Sequence, residues 1–202
     1  MNDMQKLIFA TNNKHKAHEL RDWFERNFDN PPEIVTLAEL GLGDPVEDGE
    51  TFAENAYIKA IFALDQTGLA AIADDSGLCV DILDGAPGIY SARYAGEGET
   101  NDKCIAKLLK ELDGIEYERR TAYFACAICL LLPDGRRIDA FGRADGYIAT
   151  ECRGDGSFGY DPVFYCPSLG KTFAELDTAS KSAISHRGRA LEDLKVKANG
   201  LF

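Results

Sequence analysis

Two carboxylates side by side, a hydroxyl and a glycine stand together in Asp74-Asp75-Ser76-Gly77. Like charges at adjacent positions repel, and removal from water adds to the cost. A divalent cation or a shared proton removes it, and such a pair suits activation of water for hydrolysis. The same four letters also make an ordinary Asp-Ser-Gly surface turn. The flanking apolar runs, Leu69–Ala73 and Leu78–Leu83, predict strand, acidic turn, strand.

Three further stretches hold residue types with chemistry in them. Thr11-Asn12-Asn13-Lys14-His15-Lys16 follows a strand-like run, Lys6–Ala10, and opens a helical pattern with Leu20, Trp23, Phe24 and Phe28 on one face. A polar turn between a strand and a helix N-terminus is a natural anion site, because backbone N–H groups and the helix dipole converge there. The pattern G-x-x-x-x-G-K-[ST] is absent, so this is no Walker loop. Gly154-Asp-Gly-Ser-Phe-Gly159 matches G-x-G-x-x-G, but Tyr160-Asp161-Pro162 does not begin a helix and no βαβ unit surrounds it. The dinucleotide reading fails on that context. These glycines let a loop approach a ligand, with Phe158 or Tyr160 available to stack on a base. Lys181-Ser-Ala-Ile-Ser-His186-Arg187 is the last cluster. Ser185 can cap a helix whose inner face is Ala190, Leu191, Leu194 and Ala198. That places His186 and Arg187 in the first turn, where the dipole disfavours cations. Local conflicts of this kind gather at functional sites.

Between these stretches lie the elements that must position them. Glu33–Leu37 predicts a second strand. Gly41–Glu50 is an acidic, glycine-rich loop, and by spacing alone its Glu47 and Asp48 read as loop charges. Thr51 and Glu54 form a capping box. The helix it opens shows Ala53, Ala56, Tyr57, Ala60, Ile61 and Leu64 on one face and stops at Gly68. Asp84–Gly96 reads as a loop, and Thr100 caps a helix carrying Ile105, Leu108, Leu109 and Leu112. Thr121–Leu132 is apolar on both faces, as a central strand is. Pro133–Arg136 turns the chain into a second long strand, Arg137–Ile148, whose alternation is broken at Gly142 and Gly146.

A net charge of -12 argues against a duplex-binding protein, which needs a basic footprint. It leaves room for a small anion, since a local lysine and arginine cluster with a metal reverses the field within one cleft. No apolar run reaches the length of a membrane-spanning helix. The six cysteines are scattered, which predicts reduced thiols in a cytoplasmic protein. Cys126 and Cys129 have redox or zinc spacing, but in a strand they point to opposite faces, as two small core residues do. With only His15, His18 and His186, no histidine-activated nucleophile is evident. Carboxylates for Mg²⁺, cations for phosphates and an aromatic for a base together compose a nucleoside triphosphate site.

These motifs, in this order, resemble the Ham1/RdgB-type inosine triphosphate pyrophosphatases. The resemblance runs from Phe9–Lys16 through Thr51–Ala56, Ala73–Gly77, Gly85–Arg93 and Phe158–Pro162 to Lys181–Arg187. It implies a single ITPase-like domain over residues 1–202. The implied fold is an elongated, two-lobed α/β fold around a mixed sheet with flanking helices, the active site lying in the cleft between lobes. It implies a homodimer and hydrolysis of ITP, dITP and XTP to the monophosphate and pyrophosphate with Mg²⁺. Asp75 matches the general base, and Glu47 and Asp75 match the metal ligands, with Asp74 a possible third. Thr11, Asn12, Asn13, Lys14, His15 and Lys16 match the phosphate turn. Ser76, Phe158, Gly159, Tyr160, Asp161, Lys181, His186 and Arg187 match the remaining substrate positions. Asn12 and the pair Gly156-Ser157 depart from residues common in the family. His186 and Arg187, as donors, would donate to the O6 acceptor of hypoxanthine or xanthine and reject adenine, whose amino group is itself a donor. The competing readings are a Maf-like pyrophosphatase for modified pyrimidine nucleotides and a module that binds nucleotide without turnover.

Overall fold

The computed structural model describes residues 5–155 and 158–202. Among the described residues, seven strands form one mixed sheet in the order β2-β1-β3-β4-β5-β6-β7. They are β1 (Lys6–Phe9), β2 (Glu33–Thr36), β3 (Ala71–Val80), β4 (Thr121–Leu131), β5 (Arg137–Ile148), β6 (Phe164–Cys166) and β7 (Lys171–Thr172). The α-helices among the described residues are α1 (Lys14–Asn27), α2 (Phe52–Thr67), α3 (Asn101–Glu111), α4 (Thr178–Ile184) and α5 (His186–Lys197). Strands β1 and β2 are parallel, as are β1 and β3, whereas β5, β6 and β7 run antiparallel in turn. Among the described residues no helix is long and apolar enough to cross a membrane.

The chain divides into two compact units and passes between them inside regular elements. The first takes the chain up to Asp75, Ala127–Phe141 and Ala190–Phe202; the second takes Ser76–Cys126 and Gly142–Arg189. The first has a core of Ile8, Leu37, Ala56, Ala60, Ala63, Ala71, Ala73 and Leu131, all buried. Alanines on α2 let that helix lie close to the strands. The second unit packs Leu78, Val80, Leu108, Phe124, Ile148, Phe164 and Phe173.

Much of the expected layout stands. The Thr51–Glu54 capping box forms, with Thr51 Oγ1 accepting from the Glu54 amide at 3.1 Å and Glu54 accepting back from the Thr51 amide. Thr100 caps α3. The turn before β5 is closed by the Leu132 amide on Arg136 O at 2.9 Å. The chain after Gly159 continues to β6 without a helix, in keeping with the rejected dinucleotide reading. Cys126 and Cys129 are both fully buried in β4, and burial pushes the Cys129 thiol up to about 12. They are core residues.

Two expectations are corrected. The acidic stretch is no turn: Asp74 and Asp75 lie within the uninterrupted β3, and Asp81–Leu83 is a short 3-10 helix rather than strand. Lysines brought by α1 and α2 make this burial possible. Nor do Gly142 and Gly146 break the alternation of β5, since both occupy the buried phase of its regular pattern.

Candidate active site

In the first unit, β3 carries Asp74 and Asp75 with 4% and 7% of their surface exposed. Each carboxylate is met by its own lysine from a different helix. Lys16 Nζ of α1 lies 3.0 Å from Asp74 Oδ2. Lys59 Nζ of α2 lies 3.3 Å from Asp75 Oδ1 and 3.1 Å from Glu47 Oε1. Asn55, one turn before Lys59, donates from Nδ2 to Asp75 Oδ2 at 3.1 Å. Glu47 is therefore tied to the acidic pair, against the loop reading that spacing favoured, whereas Asp48 is exposed.

Three carboxylates face two ammonium groups here, which leaves an excess of negative charge. Burial pushes Asp75 above the usual carboxylate range; Lys59 pulls it back and Glu47 pushes it further up. Burial works to lower Lys59, yet Asp75, Asp74 and Glu47 together hold it above the ordinary lysine value. The donor set suits a hard divalent cation: Glu47 and Asp75 converge on one point of positive charge, and both offer oxygen. Among the described residues no three acidic, histidine or cysteine side chains form a ready metal cage. Two carboxylates completed by phosphate oxygens and water is the usual magnesium arrangement in phosphoryl-transfer sites.

The turn before α1 is built by its own side chains. Thr11 Oγ1 accepts from the Asn13 amide at 3.1 Å, and Asn13 Oδ1 accepts from the His15 and Lys16 amides at 3.0 and 3.2 Å. The amides of His15 and Lys16 thus serve the cap rather than standing open for an anion, which corrects the expectation of open N–H groups at this turn. Lys14 and His15 are exposed, and Asn12 Nδ2 reaches Leu42 O at 3.5 Å.

In the second unit, Ser76 follows directly on Asp75, and Arg187 Nη2 lies 3.4 Å from its Oγ. His186 is buried and stacks on Phe124, ring centroids 4.7 Å apart. Lys181 pairs with the buried Asp161, and its ammonium lies 5.2 Å over the Phe158 ring. Tyr160 is a core residue, its ring buried and its hydroxyl donating to Ser91 O at 2.9 Å. Of these two aromatic residues Phe158 is the half-exposed one, and Gly159 follows it in a turn. The departure at Gly156-Ser157 lies outside the described residues. Ser91 also takes the Leu78 amide at 2.9 Å, so the Asp84–Gly96 stretch, which forms a 3-10 helix over Gly88–Arg93 rather than a plain loop, is fastened to β3.

His186 and Arg187 open α5 as expected, and Ser185 Oγ accepts from the Gly188 amide at 3.1 Å. Gly188 packs against α4 so closely that a Cβ there would stand 1.8 Å from Ser182 O. No rotamer relieves a Cβ clash with backbone, so α5 must shift. Gly188→Ala is expected to destabilise the protein by about 1–3 kcal/mol, measured by thermal melting.

Two residues of this set escaped the sequence reading. Lys59 and Asn55 are buried polar positions on the alanine face of α2. Their one signal is an i, i+4 polar pair interrupting that face beside Ala56, Ala60 and Ala63.

A family model described as the Ham1 family matches residues 7–197. Among curated relatives, the dITP/XTP pyrophosphatase of Desulforamulus reducens is 47% identical, covering 98% of this chain and 97% of its own. That of Escherichia coli O157:H7 is 49% identical, with 94% and 95% covered. The solved structure of the Staphylococcus aureus Ham1 protein has a TM-score of 0.87 at 38% identity, over 98% of this chain and all of that one.

Proposed function

The chain belongs to the Ham1 family, and on that premise we propose that it hydrolyses non-canonical purine nucleoside triphosphates. The substrates are dITP, XTP and ITP, cleaved to the monophosphate and pyrophosphate. The family match over residues 7–197 displaces the Maf-like reading. The observation that carries the chemistry is Asp75: a buried carboxylate raised above its ordinary range, with a donor on each of its oxygens. A carboxylate so raised is a stronger base toward water.

Asp75 accepts the proton of the water that attacks the α-phosphorus. Glu47 and Asp75 would hold the divalent cation, Mg²⁺ in this reading, which when bound sets positive charge against the phosphate oxygens. Lys16, steadied by Asp74, and Lys14 on the exposed start of α1 supply cations for the phosphates. Thr11, Asn12, Asn13 and His15 belong to the same phosphate turn. Ser76, Arg187 and His186 donate to the purine, and Phe158 offers its face to the ring. Lys181 and Asp161 hold Phe158 and its loop. The same reading includes a homodimer in the cytoplasm.

The test is a panel of dITP, XTP, ITP, GTP and ATP with Mg²⁺ in H₂¹⁸O. Pyrophosphate should appear from the first three, with the label in the monophosphate. Orthophosphate, or label in the pyrophosphate, overturns attack at the α-phosphorus. ATP turnover equal to that of dITP overturns the base selectivity.

A further inference from the structure

We propose that Asn55 is a positioning residue that locks Asp75 in register with the loop bearing Glu47, reserving Asp75 Oδ1 for the chemistry. Asn55 is fully buried near the start of α2. Its Oδ1 accepts from the Gly49 amide at 2.9 Å, and its Nδ2 donates to Asp75 Oδ2 at 3.1 Å. The orientation of this amide is set by chemistry. A backbone N–H only donates, so the oxygen must face Gly49 and the NH₂ must face the carboxylate. Asp75 Oδ2 is thereby occupied by a fixed neutral donor. Oδ1 is left to Lys59, which it shares with Glu47. A flexible ammonium yields to an incoming group more readily than a buried amide held at both ends.

The other end of the clamp acts on the loop. The amides of Gly49, Glu50 and Thr51 are all taken by side chains of the first turn of α2: the first by Asn55, the other two by Glu54. This fastens the segment two residues after Glu47. Gly49 is required by the closeness of that approach, since a Cβ on it would stand 2.7 Å from Asn55 Oδ1 and 2.8 Å from Glu54 Cβ. One buried amide thus sets the separation of the two carboxylates proposed to hold the cation.

The inference rests on the assignment of Asp75 as base and of Glu47 and Asp75 as cation ligands. Two variants test it from opposite ends. Asn55→Leu keeps the branched shape and removes both hydrogen bonds. Gly49→Ala leaves Asp75 and Asn55 unchanged in identity but pushes on the amide. For each, kcat on dITP is expected to fall by roughly 10²-fold through misplacement of the base, with KM for the nucleotide nearly unchanged. Binding of Mn²⁺ without nucleotide, followed by electron paramagnetic resonance, should weaken in both variants. A folded variant of either kind with wild-type kcat and wild-type Mn²⁺ binding overturns the proposal. Should Asn55→Leu fail to fold, Gly49→Ala decides alone, since it changes a half-buried loop position. Absence of pyrophosphate release by the wild type would instead remove the underlying assignment.

Discussion

Asp75→Asn is expected to abolish nearly all turnover while leaving the fold intact. Loss of a positioned general base costs roughly 10²–10⁴ in rate, and loss of one of two cation ligands adds to it. The fold should survive for a specific reason. The substitution keeps the volume, and Lys59 retains Glu47 at 3.1 Å as a partner. The introduced amide can still accept from Asn55 through its oxygen, although its NH₂ then turns toward the Lys59 ammonium. Removing one buried carboxylate from a group of three also relieves repulsion, because Glu47 raises Asp75 as it stands. Pyrophosphate release at saturating dITP, beside a thermal melt and a circular dichroism spectrum, checks both halves. A variant that keeps more than a small residue of wild-type kcat excludes Asp75 as the base. One that loses activity only by unfolding leaves its role structural.

How the acidic pair is housed shows what a sequence displays and what it conceals. Elements defined by their own residues were legible. The capping box at Thr51 and Glu54, the Thr100 cap, the apolar run of β4 and the Ser185 cap before His186-Arg187 all follow from local spacing. The motif order across the chain also led to the family over residues 7–197. The continuity of β3 was concealed. Two adjacent aspartates break a strand pattern unless charges arrive from elsewhere, and they do: Lys16 is 58 positions away along the chain and Lys59 is 16. Periodicity registers apolar faces, so it predicts for α2 a buried face without Asn55 and Lys59, both of which are buried. The placement of Tyr160 failed for a related reason. An aromatic beside a glycine-rich loop reads as a ligand platform, but a hydrogen bond to Ser91 O lets its hydroxyl enter the core. Each miss concerns a polar group whose burial depends on a partner distant in sequence.

Lys59→Met puts that dependence to its strongest test. The lysine is 5% exposed and stands between Glu47 and Asp75. Removing one member of a buried ion pair leaves an uncompensated charge and costs about 3–5 kcal/mol. For a chain of this size that corresponds to a fall in melting temperature on the order of 10 °C. The sign of the pH dependence follows from the raised lysine value, the work of Asp75, Asp74 and Glu47 against burial. A lysine raised in the folded state contributes stability that is present throughout neutral pH and is lost as pH rises through the raised value. The gap between wild type and variant should therefore be wide at neutral pH and narrow in strong alkali. Adding Asp75→Asn to Lys59→Met should restore stability rather than lower it further, since the second change removes the charge that the first left unpaired. Thermal melts of the wild type, both single variants and the double variant measure this coupling. Additive losses in the double variant would show that Lys59 packs as a buried stem and that its charge contributes nothing to holding the two aspartates in the strand.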